Sequence, residues 1–228
     1  MRCYALVTGL AGLLAAAVQP AQAGSGEPWA GCYGGAHAGY GWADISGRDT
    51  FIGADIGSAT ARGRAFGGQL GCDRQVGNWV WGAQVSLANA DLTGSHVFLD
   101  GTGPSDRVSN DIKTLATLTG RIGYTLAPET LAYLKAGGAW TKTNHDDSDP
   151  APLAGAPYTG NKEVGRSGWL VGLGLERRIG KKLSAYVEYQ HMDFGGANVT
   201  ITYSDAAIAD YSFNQRMDFL TLGLNYRF

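Results

Sequence analysis

The sequence predicts an all-β fold: an eight-stranded antiparallel up-and-down transmembrane β-barrel with short periplasmic turns and four long extracellular loops. Three observations carry that expectation. Eight stretches alternate with a period of two, tight turns and long polar connections alternate between them, and the charged residues share the face opposite the apolar one.

The first 23 residues, MRCYALVTGLAGLLAAAVQPAQA, read as a cleaved signal peptide. Arg2 opens a weak positive region, Tyr4 to Val18 is apolar, and Ala21-Gln22-Ala23 is an A-x-A cleavage site. The apolar run falls short of the ~20 residues that a spanning helix needs, and no comparable run follows Gly24. Residues 24–30 are expected to form a short N-terminal periplasmic segment, and residues 31–228 the barrel domain.

The alternating stretches are 31–43, 64–75, 79–91, 111–125, 131–143, 166–178, 183–194 and 214–227. In the third, Trp79, Trp81, Ala83, Val85 and Leu87 oppose Val80, Gly82, Gln84 and Ser86. In the sixth, Trp169, Val171, Leu173 and Leu175 oppose Gly168, Gly172, Gly174 and Glu176. Gly77-Asn78, Ala127-Pro128-Glu129 and Gly180-Lys181 are tight-turn signals. The long connections fall near 44–63, 92–110, 144–165 and 195–213, all at the other end of the strands. A soluble sandwich scatters its loop lengths over both ends.

The two faces decide which solvent each one meets. One face collects Tyr40, Phe66, Leu70, Leu87, Leu118, Leu134, Val171, Leu173, Val187 and Leu222. The other collects His37, Gln69, Asp73, Gln84, Arg121, Lys135, Glu176, Arg178, Glu188, Gln190, Asn225 and Arg227. Burying the second set in an apolar core costs several kcal/mol per unpaired ion. An inverted barrel avoids that cost, with lipid against the apolar face and ions paired or hydrated inside. Trp42, Trp140 and Trp169 then mark one interfacial girdle, and Trp79, Tyr124, Tyr226 and Phe228 the other. Closure of the last strand on the first leaves no edge in lipid.

Composition narrows the function. Eighteen basic against 20 acidic residues predict no nucleic-acid partner. Glycine is 35 of 228 residues, about 15 % and twice ordinary usage, without a collagen period. No G-x-S-x-G, H-E-x-x-H, C-x-x-C or P-loop occurs, so neither a catalytic site nor a cofactor is expected. His145-Asp146-Asp147-Ser148-Asp149 lacks the glycine and distal glutamate of a calcium loop and reads as a solvated acidic stretch, with no metal. Among the histidines, His37 points inward, His96 and His145 fall on loops, and His191 lies near the outer interface without a serine nucleophile motif.

Two sets of side chains remain as candidates. Asp73, Arg121, Lys135, Glu176, Arg178, Glu188 and Arg227 line the interior, either as an ion path or as a closed salt-bridge network. Eight strands enclose a lumen only wide enough for side chains, and inward Tyr133, Tyr186 and Phe219 add bulk, so a plug is expected. Cys32 and Cys72 lie opposite each other if the first hairpin is centred near residue 52. They are then either a cross-strand disulfide on the periplasmic side or two free interfacial thiols.

Several of these residues also resemble a known family. The ending Thr221-x-Gly223-x-x-Tyr226-x-Phe228 resembles the C-terminal signal read by the outer-membrane insertion machinery, with Gly223, Tyr226 and Phe228 as its marks. Gly120-Arg121-Ile122-Gly123-Tyr124 with Leu131-Ala132-Tyr133-Leu134-Lys135-Ala136-Gly137-Gly138-Ala139-Trp140 resembles a block of the alphaproteobacterial outer-membrane immunogenic proteins. So does Trp29-x-Gly31-x-Tyr33-x-Gly35-x-x-x-Gly39. Those proteins belong to the opacity/OmpA-like eight-stranded barrel superfamily, and the resemblance spans residues 29–228. It implies an integral protein of the cell outer membrane, exported through the periplasm, with outer-membrane lipid, lipopolysaccharide and the insertion machinery as partners. A peptidoglycan-binding domain is not expected. The implied role is non-enzymatic and surface-structural, in envelope integrity, adhesion or recognition through the loops, whose extracellular ligand the sequence does not name. The alternative is a narrow porin or small-solute channel.

Overall fold

The computed structural model describes residues 27–49, 55–97, 107–149, 158–202 and 208–228, with side chains given for 27–44, 60–92, 114–141, 165–196 and 214–228. The signal-peptide expectation for residues 1–23 lies outside the described residues. Eight strands follow in chain order: β1 Gly31–Asp49, β2 Asp55–Val76, β3 Trp79–Val97, β4 Arg107–Ala127, β5 Thr130–Asp149, β6 Tyr158–Arg178, β7 Leu183–Thr202 and β8 Ile208–Arg227. Each pairs antiparallel with its neighbours, and β8 returns to β1, so the sheet closes into a barrel as expected.

The three tight turns fall where the sequence placed them. Val76 pairs with Trp79 around Gly77-Asn78, and Gly77 adopts a φ of 60° that an L side chain rarely takes. Alternation matches the pleat throughout. On β8, Leu220, Leu222, Leu224 and Tyr226 are exposed, while Phe219, Thr221 and Asn225 between them are buried. The exposed positions join around the cylinder into a belt of Phe, Leu, Val and Trp. Soluble monomers rarely expose a contiguous apolar patch above a few hundred Å². This exterior faces lipid.

At the opposite end the structure corrects the sequence. Strands expected to stop at 43, 91, 143 and 194 continue to Asp49, Val97, Asp149 and Thr202. Much of each expected long connection, near 44–63, 92–110, 144–165 and 195–213, is therefore strand. His96 and His145-Asp146-Asp147-Ser148-Asp149 therefore belong to strand ends of β3 and β5, not to loops; their side chains lie outside the described residues. The physical reason is that strands above the membrane have water available on the outside. Both faces tolerate polar residues there, and the period-two signal disappears while the hydrogen-bonded ladder continues.

Candidate functional site

The interior is stratified. At the periplasmic end Trp29, Val80, Leu131 and Tyr133 form a buried cluster. Trp29 belongs to the segment before β1, yet its side chain is fully buried, and its backbone N–H donates to Gln75 Oε1 at 3.0 Å. Within the expected periplasmic segment, Trp29 thus tucks under the barrel and covers its periplasmic end.

Above it lies the ionic layer. Arg121 Nε donates to Asp73 Oδ1 at 2.8 Å, its Nη2 pairs with Asp73 Oδ2, and its Nη1 donates to Glu176 Oε2 at 3.0 Å. Arg227 Nη2 donates to the same Asp73 Oδ2 at 2.9 Å, and its Nη1 to the carbonyl oxygens of Trp29 and Gly31 at 2.6 and 3.0 Å. Lys135 Nζ stands 2.6 Å from Glu188 Oε1, while Tyr133 Oη donates to Glu188 Oε2 at 2.8 Å. Ser184 Oγ and Asn225 Nδ2 both donate to Glu176 Oε1. The Arg121 guanidinium is sandwiched between the rings of Tyr33 and Tyr133, 4.8 and 5.1 Å from their centroids.

Three cations (Arg121, Lys135, Arg227) thus meet three carboxylates (Asp73, Glu176, Glu188), and the layer is formally neutral. Neutrality is what lets five of these six sit at 5 % exposure or less. Arg178 does not join them. It lies at the end of β6 and donates to the Lys181 carbonyl oxygen in the adjoining turn, at 2.6 Å. Parity alone placed it inside; its height at the strand end puts it in reach of the turn instead.

The glycine excess now has a cause. Adjacent strands bring each polar pair to opposite sides of a glycine. Gly82 stands between Asp73 and Arg121, Gly174 between Tyr133 and Glu188, Gly71 between Tyr33 and Gln84, and Gly35 between Gln69 and Asn225. Each pair is hydrogen-bonded over the bare backbone between its members. A side chain on the middle strand would occupy that path: an added Cβ at Gly82 would fall on the Asp73 carboxylate. Gly82→Ala is expected to destabilise the barrel by about 1–3 kcal/mol by forcing that carboxylate aside. Urea unfolding in detergent micelles measures it; Gly120→Ala, where an added Cβ meets nothing closer than 3.9 Å, is a control for the loss of a glycine with no crowding.

The extracellular half of the lumen departs from expectation. The expected interior is one of paired or hydrated ions with bulk from Tyr133, Tyr186 and Phe219, but here Leu92, Leu115, Leu170, Met192, Phe194, Met217 and Phe219 form a buried apolar cluster with Ala43, Ala61, Ala65, Ala90 and Ala139. The inward parity is right. What parity cannot show is that inward polar and inward apolar residues segregate by height, because that requires registering eight strands at once. Between the two layers His37 Nδ1 lies 2.7 Å from Gln69 Oε1, and Ser86 and Thr117 hydroxyls meet at 3.0 Å.

On the exterior, Cys32 and Cys72 are directly paired in register, with Cα atoms 3.9 Å apart, and are joined as a disulfide near the periplasmic rim. The Phe228 N–H donates to the Cys32 carbonyl oxygen at 3.1 Å, so the bridge borders the β1–β8 seam. Tyr226 and Phe228 face outward, whereas Gly223 faces inward opposite Tyr186, whose ring occupies the space a Cβ there would need. At the outer girdle His191 Nδ1 lies 2.7 Å from Asp218 Oδ1, and Tyr189 Oη donates to the same oxygen at 2.5 Å. Among the described residues His191 has no other hydrogen-bonding partner and no serine beside it. That arrangement orients an imidazole but supplies no nucleophile.

A closed antiparallel cylinder, apolar outside and filled by a neutral ionic layer, defines an outer-membrane β-barrel protein. Residues 8–228 match the outer membrane protein beta-barrel domain family, and the chain belongs to it. It is 26 % identical over 175 residues to the 31 kDa outer-membrane immunogenic protein of Brucella melitensis biotype 1, covering 74 % of this chain and 68 % of that protein. The same protein of Brucella suis biovar 1 matches equally. Among solved structures, outer membrane protein OprG from Pseudomonas aeruginosa shares the fold, with a TM-score of 0.51 at 14 % identity over 87 % of this chain and 97 % of that one. The protein resides in the cell outer membrane.

Proposed function

We propose that this protein is a non-enzymatic structural and surface-exposed component of the outer membrane, serving envelope integrity, adhesion or recognition. The observation that carries the reading is the filled lumen. Trp29 covers the periplasmic mouth, six paired ions occupy the layer above it, and buried Leu, Met and Phe fill the extracellular half. A channel needs a hydrated path through all three. The strands also run past the outer girdle: β5 continues from Trp140 to Asp149, roughly 30 Å of contour. A stiff ribbon projecting beyond the lipid is a natural mount for contact residues. The outward Tyr226 and Phe228 at the end of β8 support recognition by the insertion machinery.

Planar-bilayer recordings are expected to show no steady, reproducible conductance steps; regular steps would establish the narrow-channel alternative instead. A knockout complemented by a variant with β5 and β6 shortened above the girdle separates the two surface roles. Restored envelope impermeability with lost surface binding assigns recognition to the projecting strands.

A further inference from the structure

The outward face of β2 carries a pattern that the filled lumen does not explain. From the periplasmic end it reads Arg74, Cys72, Leu70, Gly68, Phe66, Arg64 and Arg62. Arg74 and Arg64 are ten residues apart, about 33 Å of strand, which a tilt near 40° converts to roughly 25 Å of height. That is the thickness of the apolar band of a transmembrane barrel. The arginines therefore bracket the hydrocarbon, and Arg64 and Arg62 stand at the outer headgroup plane.

Their neighbours fix the level. Arg62 is paired in register with the girdle residue Trp42, and Arg64 with Tyr40 one step below it on the outward face of β1. Both arginines are exposed, and among the described residues neither has a hydrogen bond or ion pair. Two acidic groups share the outward surface here. Asp91 lies opposite Arg64 on β3 without forming an ion pair, and Asp44 on β1 accepts from Thr60 Oγ1 at 3.1 Å. Arg62 pairs in register with Thr93 on β3, with Asp91 and Asp44 as its diagonal neighbours on the two flanking strands. A guanidinium at the edge of hydrocarbon, held beside aromatic rings and forming no ion pair with the neighbouring Asp91 or Asp44, favours an anion supplied by the lipid. The planar fork of arginine matches phosphate oxygens bidentately.

We propose that Arg62 and Arg64, flanked by Tyr40 and Trp42, form a docking site for the phosphate groups of an outer-leaflet glycolipid. The site rests on the membrane placement of the barrel and is independent of the surface role proposed above.

The test uses the full mature protein in detergent micelles, titrated with phosphorylated lipid A and, separately, with the same lipid chemically dephosphorylated. Retained glycolipid is counted by native mass spectrometry. The wild-type protein is expected to retain the phosphorylated lipid at least tenfold more strongly than the dephosphorylated one. R62Q/R64Q is expected to lose that preference, while R74Q, at the inner rim, keeps it. Heat-dependent gel migration checks that each variant is folded. Equal retention of both lipids by the wild type overturns the proposal without reference to any variant, as does an unaltered preference in folded R62Q/R64Q. Inorganic pyrophosphate is the third arm: complete displacement of the lipid at millimolar concentration would make this a free-anion site and sink the glycolipid assignment.

Discussion

Replacing Arg121 by methionine is expected to lower barrel stability by about 3–5 kcal/mol, because it leaves buried carboxylates without their partner. Glu176 suffers most. It is fully buried, and Arg121 is its only ion-pair partner among the described residues; Ser184 and Asn225 donate to its other oxygen but bring no charge. Asp73 keeps Arg227. Urea titration of protein refolded into lipid vesicles, followed by tryptophan fluorescence, measures the loss. Adding Glu176→Gln and Asp73→Asn to the methionine variant is expected to recover part of it, since the remaining groups no longer bury unpaired charge. A single Arg121→Met variant within about 1 kcal/mol of wild type would show that the layer is hydrated and not a plug.

The second large effect concerns the bridge between β1 and β2. Its cysteines are 40 residues apart, and the chain-entropy account assigns such a closure about 4 kcal/mol. Cys32→Ser/Cys72→Ser is therefore expected to keep its β-sheet circular dichroism while its unfolding midpoint falls. Reductant should reproduce the shift in the wild type and leave the double variant unmoved. Alkylation of two thiols in the native, unreduced protein would contradict the bridge directly.

Legibility differed between these features. Cys32 and Cys72 could be placed opposite each other from the centre of the first hairpin, yet opposition alone leaves a bridge and two thiols equally open. The inward set Asp73, Arg121, Lys135, Glu176, Glu188 and Arg227 followed from parity, a local property that each strand displays by itself. Arg178 followed the same rule and was misplaced, since parity says which way a side chain points and nothing about how high it stands. Trp29 was missed as a plug. An aromatic just before a strand reads as part of that strand, and its burial depends on the chain bending under a mouth that exists only once the barrel has closed.

The sequence by itself determined an exported barrel turned inside out, because a two-residue period with charges on one face admits lipid on the other and little else. It also determined the number of strands and which ends carry tight turns. Only the tertiary structure decided the contents of the lumen: which carboxylate meets which cation, the apolar layer above the ions, and the glycines left bare so that side chains bond across a strand. Those choices depend on the register of eight strands against one another. Register is a long-range property, set by closure of the whole cylinder, and no stretch of ten residues contains it.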